Sequence, residues 1–398
     1  MRKFIAISLA ALLLLGACTR DSFHEERDAE EVTVSLQLET TPFGSDGQVL
    51  TKAEFEDPVD ASIHYDYEKQ LNNLTLFLFD ASEAFETGSF KSDATQYIGK
   101  VNPIHIEEIS SGYRVDFTLA KAYDALAVVA LANYPATAYS SVSLNTGDSM
   151  DAFALQMGST ELDFTTDQTT YKTAGIPVHG WKVFGSKASP LKYYKGISTL
   201  ISGTESLSLN YALVRLQLRY LPEAGQVPAS QVDVESVKLK GYMDKYRAIP
   251  QNWFDPGYTL LTPFDAVPDA GSYVTGEIEF TQPDGTAARV AYVPEMAVGK
   301  TPEPALTVEM KQWEVDANSV RTGNWTKFTY SGSSIRMQDN DPLNPLDVTY
   351  ENPAWTPWLQ LCTIYARKDK AGNDVAVGTR FNLVRHYSYE WKATGIDK

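Results

Sequence analysis

Five histidines, His24, His64, His105, His179 and His386, are the first residues to weigh for metal or acid–base chemistry. They are scattered, with no His-Glu-x-x-His run, and a zinc site needs ligands that converge. The chain has no Gly-x-Ser-x-Gly elbow and no glycine loop of the kind that cradles phosphate. Asp339, Asn340 and Asp341, with Asp347 beyond, space oxygen ligands as calcium would want them. The rest of a calcium loop is missing, and Pro342 and Pro345 favour a solvated turn. Cys362 lies in the strand-like Trp358–Tyr365 with no base beside it, and reads as a small buried hydrophobe. Trp355 and Trp358 are the best pair for a sugar platform, against the plainer reading of core aromatics plus a loop tryptophan. The expectation is a chain with no catalytic residue, no metal and no cofactor, although loops of a β-sandwich can assemble a site from distant residues.

The clearest chemistry is at the amino end. Arg2 and Lys3 precede a nearly unbroken apolar run, Phe4–Leu15, then Gly16, Ala17 and Cys18. A charged start, a short apolar stretch and small residues at a cleavage site define a secretory signal. The cysteine directly after Gly-Ala makes it look like a bacterial lipoprotein signal, with Cys18 left as an acylated amino terminus. The run is shorter than the roughly 20 residues a membrane span needs. Residues 19–31, TRDSFHEERDAEE, are polar and acidic and read as an extended tether. Acidic stretches after a lipidated cysteine resemble the surface-export signal of Bacteroidota lipoproteins, and a plain solvated linker is the other reading.

Composition bounds the rest. The 398 residues suffice for roughly two to three domains, and 43% are hydrophobic, enough for a packed core. A formal net charge of −17 opposes binding to nucleic acid or to an anionic membrane surface. Only two cysteines exist, so no disulfide framework is available once Cys18 carries lipid. Abundant Tyr, Phe and Trp favour strands.

Val32–Glu39 alternates apolar and polar residues and is the clearest amphipathic strand of the first hundred residues. A turn-rich loop, Thr41–Gly47, and acidic Glu54–Pro58 follow. Leu71–Asp80 is apolar on both faces and is expected between two layers. Ile104–Ile109 and Tyr113–Leu119 flank the hairpin signal Ser110-Ser111-Gly112. Ala125–Ala132 reads as a core strand and Met150–Met157 as a short helix. The pattern weakens around Gly185–Gly203, where the domain boundary is placed. It restarts in Leu207–Leu209, Leu213–Tyr220, Val232–Leu239, Tyr273–Phe280, Arg289–Val293, Leu306–Val315, Trp325–Tyr330, Leu359–Arg367 and Phe381–Trp391. Short strands separated by Pro, Gly, Asn and Asp turns indicate β-sandwiches.

Taken in order, several segments resemble one family, the fimbrillins of Bacteroidota, subunits of type V pili. They are the lipobox at Cys18, the strand Val32–Leu38 followed by Lys52-Ala53, LNNLTLFLFD (71–80), ALAVVALANYP (125–135), Ile176-Pro177-Val178-His179-Gly180, Leu213-Val214-Arg215-Leu216, Tyr292-Val293-Pro294-Glu295 and Val384-Arg385-His386-Tyr387-Ser388-Tyr389. Two departures stand out: His386 in place of the usual Asn, and Lys52 in place of the more familiar Arg. The resulting expectation is an all-β chain of two tandem transthyretin-like, Greek-key β-sandwich domains after a lipoprotein signal and acidic tether. Residues 1–17 are the signal, 18–31 the tether, 32–195 the N-terminal sandwich and 196–398 the C-terminal sandwich. Strand 32–38 and the loop to Lys52 form a removable prosegment.

The resemblance implies export to the outer membrane as a lipoprotein precursor and a cut by a trypsin-like protease between Lys52 and Ala53. Loss of the strand would vacate a groove over Val32, Val34, Leu36 and Leu38. A neighbouring fimbrial subunit then fills it with its own strand in the surface fimbrium, which is β-augmentation. The sequence stops nine residues after Tyr389, without the extra donor segment of stalk subunits, so a tip or terminal subunit is expected, with a surface ligand of host or bacterial origin. Rival readings are an anchor subunit that keeps its lipid, a surface glycan-binding lipoprotein with exposed tryptophans, and a secreted hydrolase with clustered carboxylates.

Overall fold

Alternation of apolar and polar residues becomes a row of strands. The computed structural model describes residues 31–41, 43, 65–86, 89–103, 105–193, 199–201, 206–220, 231–250, 253–254, 277–282, 288–295, 307–331, 334–351, 385 and 388–393. Cys18, the tether up to Glu30, Lys52, Ala53, His24, His64, His386, Trp355, Trp358, Cys362 and the strand expected over 359–367 lie outside these residues.

In chain order the first elements are β1 (Val32–Thr40), β2 (Leu74–Asp80), β3 (Phe85–Glu86), β4 (Ser89–Phe90), β5 (Gln96–Val101), β6 (His105–Ile109), β7 (Gly112–Leu119) and β8 (Ala125–Ala132). Three helices, α1 (Ala136–Ser140), α2 (Met150–Ser159) and α3 (Thr170–Ala174), alternate with β9 (Glu161–Asp163) and precede β10 (Val178–Gly185), β11 (Thr199–Ile201) and β12 (Leu207–Tyr211). Nine of these strands make one sheet in the order β5-β2-β8-β10-β12-β1-β7-β6, with β11 also paired to β1. The pivot is β12, which runs parallel to β1 over Leu207–Leu209 and antiparallel to β10 over Asn210–Tyr211. It joins the two runs of strands whose apolar side chains share one core.

β8 is buried along its whole length, flanked by β2 and β10, because its small and branched residues let layers close on both faces. One covering layer over β2 is α2, whose Phe153 ring lies 4.8 Å from Phe77 and 6.1 Å from Phe79. Ser149 caps that helix by accepting the Ala152 N–H at 3.3 Å. The expected hairpin forms between β6 and β7, with Ile109 opposite Gly112.

The remaining strands are β13 (Val214–Tyr220), β14 (Val232–Lys240), β15 (Lys245–Arg247), β16 (Ile278–Glu279), β17 (Arg289–Val293), β18 (Thr307–Val315), β19 (Arg321–Ser331), β20 (Ser334–Asp339), β21 (Asp347–Glu351) and β22 (Ser388–Ala393). They build a three-stranded sheet, β17-β13-β22, and a six-stranded sheet, β16-β14-β18-β19-β20-β21. β15 pairs back onto β9 and ties the two halves of the chain. Among the described residues no helix is long and apolar enough to cross a membrane.

The fold is all-β, and one expected bound moves. The boundary placed between 195 and 196 cuts off β11 and β12, yet both complete the first sheet. Leu207, Leu209 and Tyr211 are buried there, so the sheet continues past the weakly patterned loop that suggested a break. Only Ile278–Glu279 of the expected 273–280 strand is strand among the described residues.

Candidate functional site

β1 occupies the middle of the first sheet. On one side it is antiparallel to β7, from Val32 opposite Leu119 to Leu38 opposite Tyr113. On the other it is parallel to β11 over Val34–Leu36 and to β12 over Leu38–Thr40. Val32, Val34, Leu36 and Leu38 all point into the core, the last three with 0% exposure. Ser35, on the opposite face, donates a hydrogen bond to the Asp116 carboxylate of β7. Gln37 donates to the Ser111 hydroxyl at 2.8 Å. β7 starts at a glycine for steric reasons: Gly112 has φ +133°, and a Cβ there would collide with the Leu38 carbonyl oxygen. Burying one Val or Leu contributes roughly 1.5–3 kcal/mol. Four of them approach the ~5–15 kcal/mol that holds a whole domain together. β1 is therefore an integral strand of the sheet.

Beyond β1 the chain stays engaged. Thr41 N–H donates to the Leu209 carbonyl at 3.1 Å, and Phe43, 2% exposed, stacks on Tyr211 with ring centroids 3.9 Å apart and planes 6° apart. Its ring is also 5.9 Å from Tyr292 and 5.9 Å from the Arg215 guanidinium.

Those neighbours belong to a buried polar network. Arg215 Nε lies 3.2 Å from Glu68 Oε1, with both side chains almost fully buried. Tyr292 donates to the same carboxylate at 2.6 Å, Tyr65 N–H to its other oxygen at 3.1 Å, and Tyr211 to the Glu68 carbonyl at 2.9 Å. Arg215 also donates to Gln217 at 2.8 Å. Burial raises the Glu68 carboxyl above its ordinary value, opposed by Arg215 and the Tyr292 hydroxyl. Burial also pushes the Tyr211 and Tyr292 phenols far up, so both stay protonated donors.

Several motif pieces meet in space. Glu295, after β17, pairs with Arg385 at 3.3 Å, both buried, and Arg385 donates to the Ala248 and Arg247 carbonyls at 3.3 and 2.9 Å. Asn133, at φ +62°, donates to the Gln70 and Ile176 carbonyls at 2.6 and 3.0 Å and accepts the Asn72 N–H at 2.8 Å. Gly175, at φ +77°, lies so close to the Asn133 amide that no Cβ fits. Tyr134 shares a 2.9 Å hydrogen bond with His179 Nδ1 and donates to the Ala248 carbonyl at 2.7 Å, so His179 is a core histidine.

The other candidates separate. His105 is exposed on β6. Asp339 accepts from the Asp341 and Leu346 N–H groups, Asp341 from Leu343, and Asp347 holds Arg336 at 2.8 Å, which makes the acidic cluster a self-capped turn. Among the described residues Trp313 and Trp325 face each other across β18 and β19, with Lys311 Nζ 4.7 and 5.3 Å from their rings. Cation-covered and half-buried, they form no bare sugar platform. Phe43 and Glu68 carry no local sequence signal; Arg215, a cation inside an alternating apolar run, does.

No protein-family model matches the chain, and no curated protein matches it either. Solved structures similar to it are fimbrial proteins of Bacteroidota. The tip fimbrial protein Mfa3 of Porphyromonas gingivalis, with a C-terminal truncation, is 11% identical with a TM-score of 0.44, over 92% of this chain and 96% of that one. A fimbrilin (FimA) of the same organism is 12% identical with a TM-score of 0.39, over 92% and 91%. A fimbrial assembly protein of Parabacteroides distasonis is 11% identical with a TM-score of 0.35, over 81% and 100%. Likeness at this level leaves the function to the molecule's own geometry.

Proposed function

We infer that the chain is a non-enzymatic subunit of a cell-surface type V pilus, assembled by strand exchange. One observation carries this reading. The first strand of the sheet, attached to the rest by a single connection that contains Lys52, holds an interior place with buried apolar side chains and backbone neighbours on both sides. Cutting that connection and withdrawing the strand would leave a slot with apolar walls and two edges of unpaired N–H and C=O groups. A strand from another subunit restores both.

The route that fits begins with an outer-membrane precursor acylated at Cys18 and continues with a trypsin-like cut between Lys52 and Ala53. The mature subunit then enters the surface fimbrium with other fimbrial subunits, as tip or as anchor. Mass spectrometry of isolated surface fibres tests it. An amino terminus at Ala53 is expected of a tip subunit; acylated Cys18 on a chain that copurifies with fibres marks an anchor. An intact acylated chain that never copurifies with another subunit overturns the proposal.

A further inference from the structure

The slot extends past its four apolar positions. Five residues after Leu38 the chain drops Phe43 into a pocket walled by Tyr211, Tyr292 and Arg215. Phe43 lies between β1 and Lys52, so a cut there removes it together with the strand. The walls do not depend on Phe43 for their positions. Tyr211 is held by the Glu68 carbonyl, Tyr292 by the Glu68 carboxylate, and Arg215 by Glu68 and Gln217. Withdrawal of Phe43 would thus leave a standing pocket with one aromatic face and one buried guanidinium, both suited to a flat π-surface. At the other end of the slot the Asp116 carboxylate faces position 35, where Ser35 now donates to it. An acidic residue arriving there would meet a like charge.

Resting on the strand-exchange reading above, we propose that this pocket selects the incoming strand. The donor from another subunit carries an aromatic ring five residues beyond the last of its alternating apolar positions. It also carries a hydrogen-bond donor, and no carboxylate, at the place of Ser35. Alternation alone would admit any amphipathic strand; the ring and the Asp116 contact fix register and partner.

The test uses the full chain cleaved after Lys52, offered an excess of labelled peptide spanning residues 32–43, with incorporation followed by gel filtration. The wild-type peptide should displace the nicked segment and remain bound. Peptides with Phe43→Ala or Ser35→Asp should be retained about tenfold less or worse, and Phe43→Leu less than wild type. Because only the peptide changes, a folding defect cannot mimic the result. Equal retention of the wild-type and Phe43→Ala peptides overturns selection by the pocket while leaving strand exchange standing. Equal retention of Phe43→Leu overturns the requirement for a ring. Failure of the wild-type peptide to enter at all overturns strand exchange and selection by the pocket with it.

Discussion

The nine-stranded sheet and the six-stranded sheet differ in how β1 of the first and β18 to β21 of the second are connected to their partners. In the six-stranded sheet, β18, β19, β20 and β21 pair with their neighbours in sequence, hairpin after hairpin. Their outer face is laced with ion pairs, from the half-buried Lys327–Glu309 at 2.7 Å to the exposed Arg336–Asp347 at 2.8 Å. In the nine-stranded sheet β1 pairs with β7 and β12, which lie far downstream, and its inward face is wholly apolar. An interior hairpin strand such as β19 is tied by short turns to both of its neighbours, β18 and β20. A strand joined to its sheet by one loop and held by distant partners makes the same bonds whether it belongs to its own chain or to another. The proposed exchange of β1 rests on this connectivity more than on strand strength.

The largest expected effect that tests this contrast is at Leu36. Leu36→Asp places a carboxylate at a position with 0% exposure and should destabilise the chain by about 4–5 kcal/mol or more. Thr349→Asp, on an exposed position of β21 opposite Arg336, should stay within about 0.5 kcal/mol. Urea unfolding followed by circular dichroism compares the two, and a mild Leu36→Asp would mean that β1 is not integral.

Next come the ion pairs. Arg215→Met strands the buried Glu68 carboxylate and should cost about 3–5 kcal/mol, with partial recovery when Glu68→Gln is added. Arg336→Met breaks a solvent-exposed pair and should leave the thermal midpoint almost unchanged. Equal shifts in the thermal midpoint would erase the distinction between the buried network and the outer face.

The smallest effect is in acid. Hydrogen bonds from Lys240 and Lys238 pull the Glu277 carboxyl down to about 2. A carboxyl held below its unfolded value of roughly 4.3 contributes stability that is present above that pH and is lost as pH falls through about 2. Amide exchange at the β14–β16 edge, corrected for its intrinsic rate, should therefore rise slightly between about pH 4 and 2, and Glu277→Gln should remove that rise. β1, with its apolar inward face, should not follow. A parallel response in β1 would show the two sheets opening together.

Particular elements show where sequence reading stops. Alternation located β1, β7, β14 and β18, and the small-residue run located β8 as a strand, because side-chain period and local bulk are properties of consecutive residues. The same rule placed the domain break before β11, since a loop that weakens the pattern looks alike whether it ends a domain or merely joins two strands of one sheet. Arg215 was visible as a cation in an apolar strand; Glu68, its partner 147 positions earlier, was not, because nothing local links the two. Sequence by itself determined which segments are strands and which faces are apolar, since both follow from adjacent side chains. Only the tertiary structure decided that β1 lies between β7 and β12, that Phe43 plugs the pocket of Tyr211 and Arg215, and that Glu295 meets Arg385, since those pairings are chosen by a core closing over residues far apart in the chain.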